Sequence, residues 1–288
     1  MNARPAASVA LAPLAALDPI GLDDLNARAE LQTRVDRKYM LPLAALPAVL
    51  ARLPEGTLVL EIDGTRASTY ESVYFDTPEL TSFLLAARAR RRRFKIRTRS
   101  YLDTEASFLE VKTRGGRAVT VKDRIPVDPD STEALTGEAR AYAEELLDDA
   151  GIADLRGVHL VPTLTTSYRR ATLLVPADRD RAESRATIDV DLTWLDRGYG
   201  GRFPTTLTTP GSVIVETKSG SSAGAVDRAL WSAGHRPARV SKYATGLAAM
   251  RPGLPANRWA RVLHRHFTTA PIARIAPITQ TTPITHAS

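Results

Sequence analysis

The stretch Lys95-Ile96-Arg97-Thr98-Arg99 places a cation at every second position, with an uncharged residue between successive cations. Alternate side chains of a β-strand point to opposite faces of the sheet, so this stretch predicts a strand with one cationic face. Other charged or polar stretches with the same period are, in chain order, Arg34-Asp36-Lys38, Glu110-Lys112, Lys122-Arg124, Tyr168-Arg170, Arg185-Asp189-Asp191 and Glu216-Lys218. We therefore expect several strands to contribute charged side chains to one common face.

The charged face has two interpretations. An antiparallel sheet with one face in water alternates polar and apolar residues without any function. A solvated face normally mixes Thr, Ser, Lys and Glu, however, whereas most of these strands carry Arg or Lys at neighbouring positions. Cations packed side by side repel each other unless an anion lies among them. We therefore favour a sheet that closes with its charged face inward and helices on its apolar face, which also removes exposed sheet edges and makes a site for a polyanion with several phosphates.

The remaining chain shows strand and helix signals in an order that predicts an α+β domain with an antiparallel sheet. Strands are predicted over residues 31–41, 69–76, 93–101, 106–113, 117–127, 160–175, 185–193 and 212–219. Helices are predicted over residues 42–53, 131–150, 222–234 and 240–250, and a helix or turn over residues 78–87. The Gly115-Gly116 pair predicts a hairpin between two of these strands.

Composition narrows the class of protein further. The 288 residues carry a net charge of +7 and no cysteine, which excludes disulfides, zinc–thiolate sites and cysteine nucleophiles. No apolar run approaches the ~20 residues that a membrane-spanning helix needs. The Ala/Pro-rich residues 1–25 and the basic, Pro/Thr-rich residues 251–288 predict two tails, the first disordered, around a domain over residues 26–250. We expect a cytoplasmic protein whose tails contact a membrane or another protein.

A series of short strings carries a family resemblance. In the first half they are Arg34-Val-Asp-Arg-Lys38-Tyr, Val73-Tyr-Phe-Asp-Thr77, Lys95-Ile-Arg97-Thr-Arg99-Ser-Tyr101, Phe108-Leu-Glu110-Val-Lys112 and Val121-Lys122-Asp-Arg124. In the second half they are Tyr168-Arg169-Arg170, Arg185-Ala-Thr-Ile-Asp189, Val215-Glu216-Thr-Lys218 and Arg239-Val-Ser241-Lys242-Tyr243. Together, in this order over residues 31–250, they resemble the VTC domain, the polyphosphate polymerase domain of the vacuolar transporter chaperone complex, within the triphosphate tunnel metalloenzyme superfamily. Each string alone is a weak signal, and their order makes the resemblance specific.

This resemblance implies a closed antiparallel tunnel of about eight strands, with helices on its outer face, that transfers the γ-phosphate of ATP to a growing polyphosphate chain with Mn²⁺ or Mg²⁺. It implies catalytic phosphate contacts for Lys38, Arg97, Arg99, Lys112, Arg170 and Lys242. It implies further substrate binding for Lys122, Arg124, Tyr168, Lys218, Arg239 and Ser241. Glu216 is the first metal-ligand candidate, Glu110 and Asp189 come next, and Asp36 and Asp191 are further second choices.

Two other functions stay open, namely hydrolysis of a triphosphate or nucleotide in the same tunnel and binding of polyphosphate without catalysis. Arg34 stands where the superfamily often has a glutamate, which suits VTC-type members better than the triphosphatase branch. Nucleic acid is not expected as a partner, because the three tryptophans lack the repeated spacing of a base-stacking platform. We also expect a variant without Arg97 and Arg99 to fold at least as stably, since its cations repel less.

Overall fold

The computed structural model describes residues 3–28, 35–114, 120–135, 137–152, 157–179, 181–198, 202–267 and 272–274. The strands are β1 (Asp18–Ile20), β2 (Val35–Pro42), β3 (Leu58–Leu60), β4 (Ser68–Asp76), β5 (Arg93–Tyr101), β6 (Ala106–Arg114), β7 (Thr120–Pro126), β8 (Val161–Val175), β9 (Ser184–Asp196), β10 (Thr205–Thr208), β11 (Ser212–Ser219) and β12 (Ile272–Arg274). The α-helices are α1 (Ala3–Leu11), α2 (Leu22–Arg28), α3 (Leu46–Leu50), α4 (Thr81–Ala87), α5 (Gly137–Asp149), α6 (Ala225–Ser232), α7 (Lys242–Met250) and α8 (Ala260–His266).

One sheet of twelve strands organises the fold. Eight strands form its main path, in the hydrogen-bonded order β7-β6-β5-β4-β8-β9-β11-β2, and all of these neighbours are antiparallel. Strand β10 pairs with the far end of β9 and β12 pairs with β10, while the short β3 pairs with β8 and runs parallel to β1. The predicted α+β class and antiparallel sheet are therefore confirmed.

The sheet is open, so the predicted closed barrel is wrong for the described residues. Strands β7 and β2 are the two ends of the main path, and in the described parts of the chain each pairs with one neighbour only. Lys122 of β7 and Lys38 of β2 nevertheless line the same cavity, so the sheet curls until its two edges face each other. Strand β7 is exposed along almost its whole length and therefore offers little apolar surface that could hold it against β2.

Helices cover the apolar face of the sheet, as predicted. On β2, β8, β9 and β11, the side chains of Leu41, Leu173, Ile188 and Val215 pack with α1, α3 and α6. On β5 and β6, the side chains of Ile96, Phe94, Leu109 and Val111 pack with Ala143 and Leu147 of α5. Burying one such aliphatic side chain stabilises the fold by about 1.5–3 kcal/mol, so these two layers fix which face of each strand points outward.

Helix α7 lies on the inner face of the sheet, which corrects the prediction that all helices pack on the outer face. Its Tyr243 stacks on Tyr74 with 5.1 Å between ring centroids, and the indole of Trp194 donates to the Lys242 carbonyl at 2.8 Å. A Cβ added at Gly246 would lie 2.3 Å from the Trp194 ring, so this close approach requires glycine. The reason lies in the strands: inner positions change from charged to apolar, as from Glu216 to Ile214, and the apolar half needs cover.

A bulge in β9 contributes to this change of character. Two β9 residues oppose one β8 residue between the pairs Arg169–Val190 and Ser167–Thr193, and Asp191 adopts a left-handed conformation with φ of 54°. The inner positions of β9 therefore pass from Asp189 to the apolar Leu192. Asp191 forms an ion pair with Arg169 at 2.7 Å and does not line the central cavity described below, so it is a poor metal candidate.

Both predicted tails contain ordered structure in their described parts. At the N-terminus, Ala7, Ala10 and Leu14 are buried in the core beside β2 and β9, so a disordered tail over residues 1–25 is wrong for these residues. At the C-terminus, Trp259 and Phe267 are buried in a cluster with residues of α4 and α7. The helical segments in both tails are short and interrupted by proline, so their apolar residues do not show a clear helix period in the sequence.

Two sequence features lie outside the described residues, namely the Gly115-Gly116 pair and Arg34. Strands β6 and β7, which flank the glycine pair, are antiparallel neighbours. None of the described helices combines the length and the apolar character that crossing a bilayer requires.

Candidate functional site

A cavity of about 270 Å³ lies between the charged face of the sheet and the start of α7, and we call it the central cavity. Its cationic lining consists of Lys38, Lys95, Arg97, Arg99, Lys112, Lys122, Arg170, Lys218 and Lys242. Its acidic lining consists of Asp36, Glu110 and Glu216. Cations thus outnumber carboxylates three to one, and a concave site with this imbalance concentrates anions. The structure brings together every lysine and arginine that the sequence assigned to phosphate, apart from Arg124 and Arg239.

Glu110 on β6 holds three of these cations. Arg97 donates to its Oε2 from Nε at 2.8 Å and from Nη2 at 2.5 Å, and Lys122 donates to its Oε1 at 3.0 Å. Arg99 Nη1 lies 3.6 Å from the same Oε1. Burial raises the pKa of Glu110, but the charges of Arg97, Arg99 and Lys122 outweigh burial and hold the pKa well below its usual range. Glu110 is therefore an ionised, 3% exposed anchor that spaces cations.

Asp189 on β9 has the same role on the opposite wall. Arg170 donates to its two carboxylate oxygens, from Nε at 2.6 Å and from Nη2 at 2.8 Å, and Lys242 of α7 also contacts Oδ2. Burial raises the pKa of Asp189, but Arg170 and Lys242 outweigh it and hold the pKa well below its usual range. This ion-pair triad fixes the first residue of α7 to the sheet, so α7 presents its N-terminal end to the cavity.

Strands β2 and β11 contribute a ladder of opposite charges. Lys38 is directly opposite Glu216 and Asp36 is directly opposite Lys218, and Lys38 forms an ion pair with Glu216. Burial raises the pKa of Glu216, but Lys38 and Lys218 outweigh it and hold the pKa well below its usual range. The Glu216 side chain is 15% exposed, against 3% for Glu110, so more of Glu216 is accessible from the central cavity that it lines.

Lys95 and Tyr74 belong to the site, although the sequence assigned them no role. Lys95 donates from Nζ to Ser241 Oγ at 3.2 Å, and burial together with the charges of Arg97, Lys38 and Lys112 lowers its pKa to about 7. Tyr74 accepts from Arg97 at 3.0 Å, and its ring lies beneath both Lys95 and Arg97. The signal for Lys95 was present, because it stands two positions before Arg97 on the same strand face.

Tyr168 is buried among three cations of the site, namely Arg99, Arg170 and Lys242. Its hydroxyl accepts from Arg99 at 3.2 Å, and the Lys242 ammonium lies 4.0 Å from its ring centroid. Burial raises the pKa of Tyr168, but Arg99, Arg170 and Lys242 outweigh burial and lower it to about 8. Tyr168 is only 2% exposed and does not line the central cavity, so the substrate-binding role assigned to it from the sequence stays a prediction.

A second cavity continues the central cavity at one end, where four arginines form what we call the arginine mouth. Asp36, Lys38, Lys95, Lys112 and Ser241 line both cavities, and the second cavity has a volume of about 360 Å³. Its outer lining includes Arg93, Arg114, Arg239 and Arg258. Arg239, assigned to substrate, therefore lies at this mouth, outside the central cavity.

A third cavity continues the central cavity at the other end, where Tyr70, Tyr101 and Phe108 form what we call the aromatic mouth. Arg99, Lys122, Arg170 and Lys218 line both cavities, and the third cavity has a volume of about 470 Å³. Arg124, also assigned to substrate, lies here, with its guanidinium 4.7 Å from the Phe108 ring centroid. The three cavities therefore follow one another as a single passage along the inner face.

The three predicted metal ligands do not form one cluster. Among the described residues, no group of three or more His, Cys, Asp or Glu side chains could hold a metal ion. Glu110 and Asp189 are buried and already paired with cations, so they do not fit the role. Mg²⁺ is commonly held by one or two carboxylates together with substrate phosphates and water. Glu216 and Asp36, which both line the central cavity, fit that pattern.

The motif residue Asp76 has a structural role. It is fully buried at the end of β4 and accepts hydrogen bonds from the backbone N–H groups of Thr77, Ser82 and Phe83 and from the Tyr243 hydroxyl. Burial raises the pKa of Asp76, although each of these hydrogen bonds favours its ionised form. Asp76 thus joins the start of α4 to α7 and supports the Tyr74 ring from behind the site.

A curled antiparallel sheet with a cation-lined inner passage is an architecture suited to anions that carry several phosphates. The family model of the VTC domain matches residues 33–251, and this chain belongs to that family. The match agrees with the resemblance found in the sequence and covers every strand from β2 to β11.

Comparisons with other proteins add no further assignment. A search of curated proteins finds no match. Among solved structures, PH1819 protein from Pyrococcus horikoshii OT3 is similar at 13% identity and a TM-score of 0.37, over 74% of this chain and 98% of that one. HpAC1 from Hippeastrum, described as a proposed adenylyl cyclase with a dominant triphosphatase activity, is similar at 16% identity and a TM-score of 0.40, over 78% of this chain and 100% of that one. These similarities are too low to carry an argument about function.

Proposed function

We propose that this protein is a metal-dependent polyphosphate polymerase that transfers the γ-phosphate of ATP to a growing polyphosphate chain. The observation that carries the proposal is the continuous passage, in which the cation-rich central cavity shares lining residues with a cavity at each end. A triphosphate alone needs one cationic cavity. A donor nucleotide and an acceptor chain that meet head to head need cationic lining on both sides of the reacting phosphorus.

The reaction asks the protein to align two anions and to neutralise charge. A terminal oxygen of the acceptor chain attacks the γ-phosphorus of ATP, the bond between that phosphorus and the β,γ-bridging oxygen breaks, and ADP leaves. The transition state spreads negative charge over the non-bridging oxygens, so positioned cations stabilise it. Arg97, Arg99 and Arg170 are each held by a carboxylate or tyrosine and are therefore oriented before substrate binds. No side-chain nucleophile is needed.

The two mouths suit the two substrates differently. A nucleoside base stacks on aromatic rings and arginine planes, and the aromatic mouth offers Tyr101 and Phe108 beside Arg124. A polyphosphate chain has no base and needs only charge, which the arginine mouth offers. We therefore assign the adenosine of ATP to the aromatic mouth and the acceptor chain to the arginine mouth.

Glu216, with Asp36, is the carboxylate pair that we assign to Mn²⁺ or Mg²⁺. When bound, such an ion supplies charge neutralisation to the phosphates of the donor. Lys38, the partner of Glu216 in the free protein, would then be available to a phosphate oxygen. The cytoplasmic location expected from the sequence would give this site access to ATP.

Phosphorus NMR of the protein incubated with ATP and Mn²⁺ or Mg²⁺ tests the proposal. We expect ADP and the resonance of internal phosphates of a polymer to grow together. Growth of orthophosphate with ADP, and no internal phosphate, would establish hydrolysis instead. No change in ATP, with polyphosphate bound tightly, would establish a non-catalytic binder.

A matched pair of variants ties the reaction to the passage. Arg170→Gln removes a cation of the central cavity, so polymer formation should fall at least about a hundredfold, because two charge-assisted contacts are lost. Arg228→Gln removes an exposed arginine of α6 that does not line the passage, and it should leave the rate unchanged. Melting temperatures of both variants show whether either loss reflects unfolding.

A further inference from the structure

Next to the arginine mouth lies a second basic groove, formed by α8 and the loop before α7. This groove has a volume of about 710 Å³, larger than the central cavity. Its basic lining consists of Arg236, Arg239, Arg258, Arg261, Arg265 and His266, and no carboxylate lies among the described residues that line it. The cations of the central cavity are held by buried carboxylates, whereas the lining of this groove includes no such partner.

The groove is a fixed part of the molecule. Val262 of α8 and Trp259, directly before this helix, are buried, and the Trp259 ring lies 5.7 Å from that of Phe83. On the opposite wall, the backbone N–H of Ala238 donates to the Lys38 carbonyl at 2.7 Å. Arg261 and Arg265 stand one turn apart on α8 and are exposed, so both guanidinium groups are displayed on a rigid support.

The basic residues of the groove lie close enough to repel one another. Burial, together with the charges of Arg239 and Arg114, lowers the pKa of Arg258. Burial and the charge of Arg265 likewise lower the pKa of His266. An anion that enters the groove relieves this repulsion, which favours binding of a polyanion over a single small anion.

The groove is continuous with the passage. Ala238, Arg239, Arg258 and Trp259 line both the groove and the cavity at the arginine mouth. A chain that extends beyond the central cavity through this mouth therefore meets the groove next. Arg258, Arg261 and Arg265 lie after residue 251, where the match to the VTC domain ends, so the α8 wall of the groove lies outside the matched residues and the opposite wall lies within them.

We propose that the groove between α8 and the loop before α7 binds the distal part of a polyphosphate chain whose reacting end lies in the central cavity. This inference rests on the proposed function for the identity of the chain, but the binding itself needs no turnover. The ligand class is a linear, flexible polyphosphate. A single strand of nucleic acid has the same charge but also carries bases, and the groove has one aromatic residue, the buried Trp259, against which to stack them.

The test is equilibrium binding of the full chain to long-chain polyphosphate and to tripolyphosphate, without ATP. In the double variant Arg261→Gln/Arg265→Gln, we expect the affinity for the long chain to fall about tenfold at moderate salt and the slope of log Kd against log salt to decrease by about two. Tripolyphosphate should bind unchanged, because it fits within the central cavity. The control Arg202→Gln/Arg228→Gln has the same charge change at exposed positions that line neither groove nor passage, and it should bind both ligands like the unaltered protein.

Three results would overturn the inference. Unchanged long-chain affinity in the α8 variant means that the groove does not hold the chain. An equal loss in the control variant means that net charge alone is responsible. The α8 variant is also titrated with single-stranded DNA. A larger loss of affinity for this DNA than for long-chain polyphosphate means that the groove binds nucleic acid. Since all of these are binding measurements, they stand apart from the NMR assay, whose failure would remove the polymerase activity but not the groove.

Discussion

The two mouths of the passage differ in chemistry although they open from the same central cavity. At the arginine mouth, Arg93, Arg114, Arg239 and Arg258 lie around the opening, and the adjoining groove adds more arginines. At the aromatic mouth, Tyr70, Tyr101 and Phe108 line the cavity together with Leu22 and Leu60, with Arg124 over the Phe108 ring and further cations toward the centre. One mouth suits repeated phosphate, and the other suits a ligand with an aromatic end. The two ends of the passage are therefore chemically different, and side chains rather than the course of the strands make this difference.

The largest expected effect comes from the centre, where the two mouths meet. Replacing both Arg97 and Arg99 with alanine should lower the affinity for ATP and for polyphosphate by at least about a hundredfold, since two charge-assisted contacts are lost. Calorimetry with each ligand measures this change. A loss confined to one ligand would show that the mouths do not share the centre.

Stability of the same double variant reveals what holds the centre together. Among the described residues, Lys122 is then the remaining ion-pair partner of Glu110, so the free protein should lose about 3 kcal/mol of unfolding free energy, as expected when a buried ion pair is broken. Adding Glu110→Gln should recover part of the stability but none of the affinity. Recovered affinity would contradict the assigned roles.

The next largest effect distinguishes the metal-binding role of Glu216 from its contribution to the charge of the cavity. Glu216→Gln should lower metal-dependent turnover about a hundredfold, because a carboxylate contributes charge as well as an oxygen to a divalent ion. The affinity for tripolyphosphate without metal should rise or stay the same, since the cavity loses a negative charge. An equal fall in turnover and in affinity would mean that Glu216 maintains the folded structure of the site. Lys218→Gln, which removes a positive charge from the same cavity, serves as the comparison.

A smaller effect concerns pH and the side of the passage that leads to the arginine mouth. Lys95 has a pKa lowered to about 7, so it loses its proton as pH rises through neutrality, and bound phosphate favours the protonated form. The affinity for tripolyphosphate should therefore fall up to about tenfold per unit between about pH 7 and about pH 9. Tyr168, with a pKa lowered to about 8, acts in the same direction when it ionises. Titration calorimetry at several pH values measures the slope.

Two variants assign this pH dependence. Lys95→Arg should flatten most of it, and Tyr168→Phe should remove the rest. In the free protein the sign is opposite, because the unfolded chain binds more protons than the folded one above about pH 7, so the Lys95 contribution to stability rises with pH until the unfolded lysine titrates. A pH slope that survives both substitutions would place the titrating group elsewhere.

The smallest effect sharpens the contrast between the mouths. Phe108→Ala should raise the Kd for ATP about fivefold, within the range for one lost base-stacking contact, and leave tripolyphosphate unaffected. Arg114→Gln at the other mouth should leave ATP affinity unchanged and weaken long-chain polyphosphate. Equal effects on both ligands at both mouths would mean that the passage has no direction.

The period of two in the sequence predicted the faces of the strands because it depends only on neighbouring residues. Lys95, Arg97 and Arg99 share a face whatever the rest of the chain does, and the structure confirms this inner face. The period cannot show where a sheet ends. Closure depends on whether β7 and β2 meet, and β7 lacks the apolar surface that would hold it there.

The pairing of residues on neighbouring strands was the second feature that the sequence could not predict. Glu110 and Arg97 lie directly opposite each other in the β5–β6 register, but the sequence does not state that register. Without the register, Glu110 was predicted to be a metal ligand and Arg97 to bind an external anion. The expectation that removing Arg97 and Arg99 leaves folding undisturbed followed from the same omission. The position of α7 was missed because only a three-dimensional fit, with Gly246 against Trp194, places that helix on the inner face.

The burial of α8 and of the first helix sets a limit on how the chain can be trimmed. A fragment cut to the residues that match the family domain would lack Leu14 at one end and Trp259 and Phe267 at the other, all of which are buried. Their partners would become exposed apolar patches, which promote aggregation. Material for biochemical assays should therefore retain residues 3–267, and an inactive shorter fragment would say nothing about the activity of the full chain.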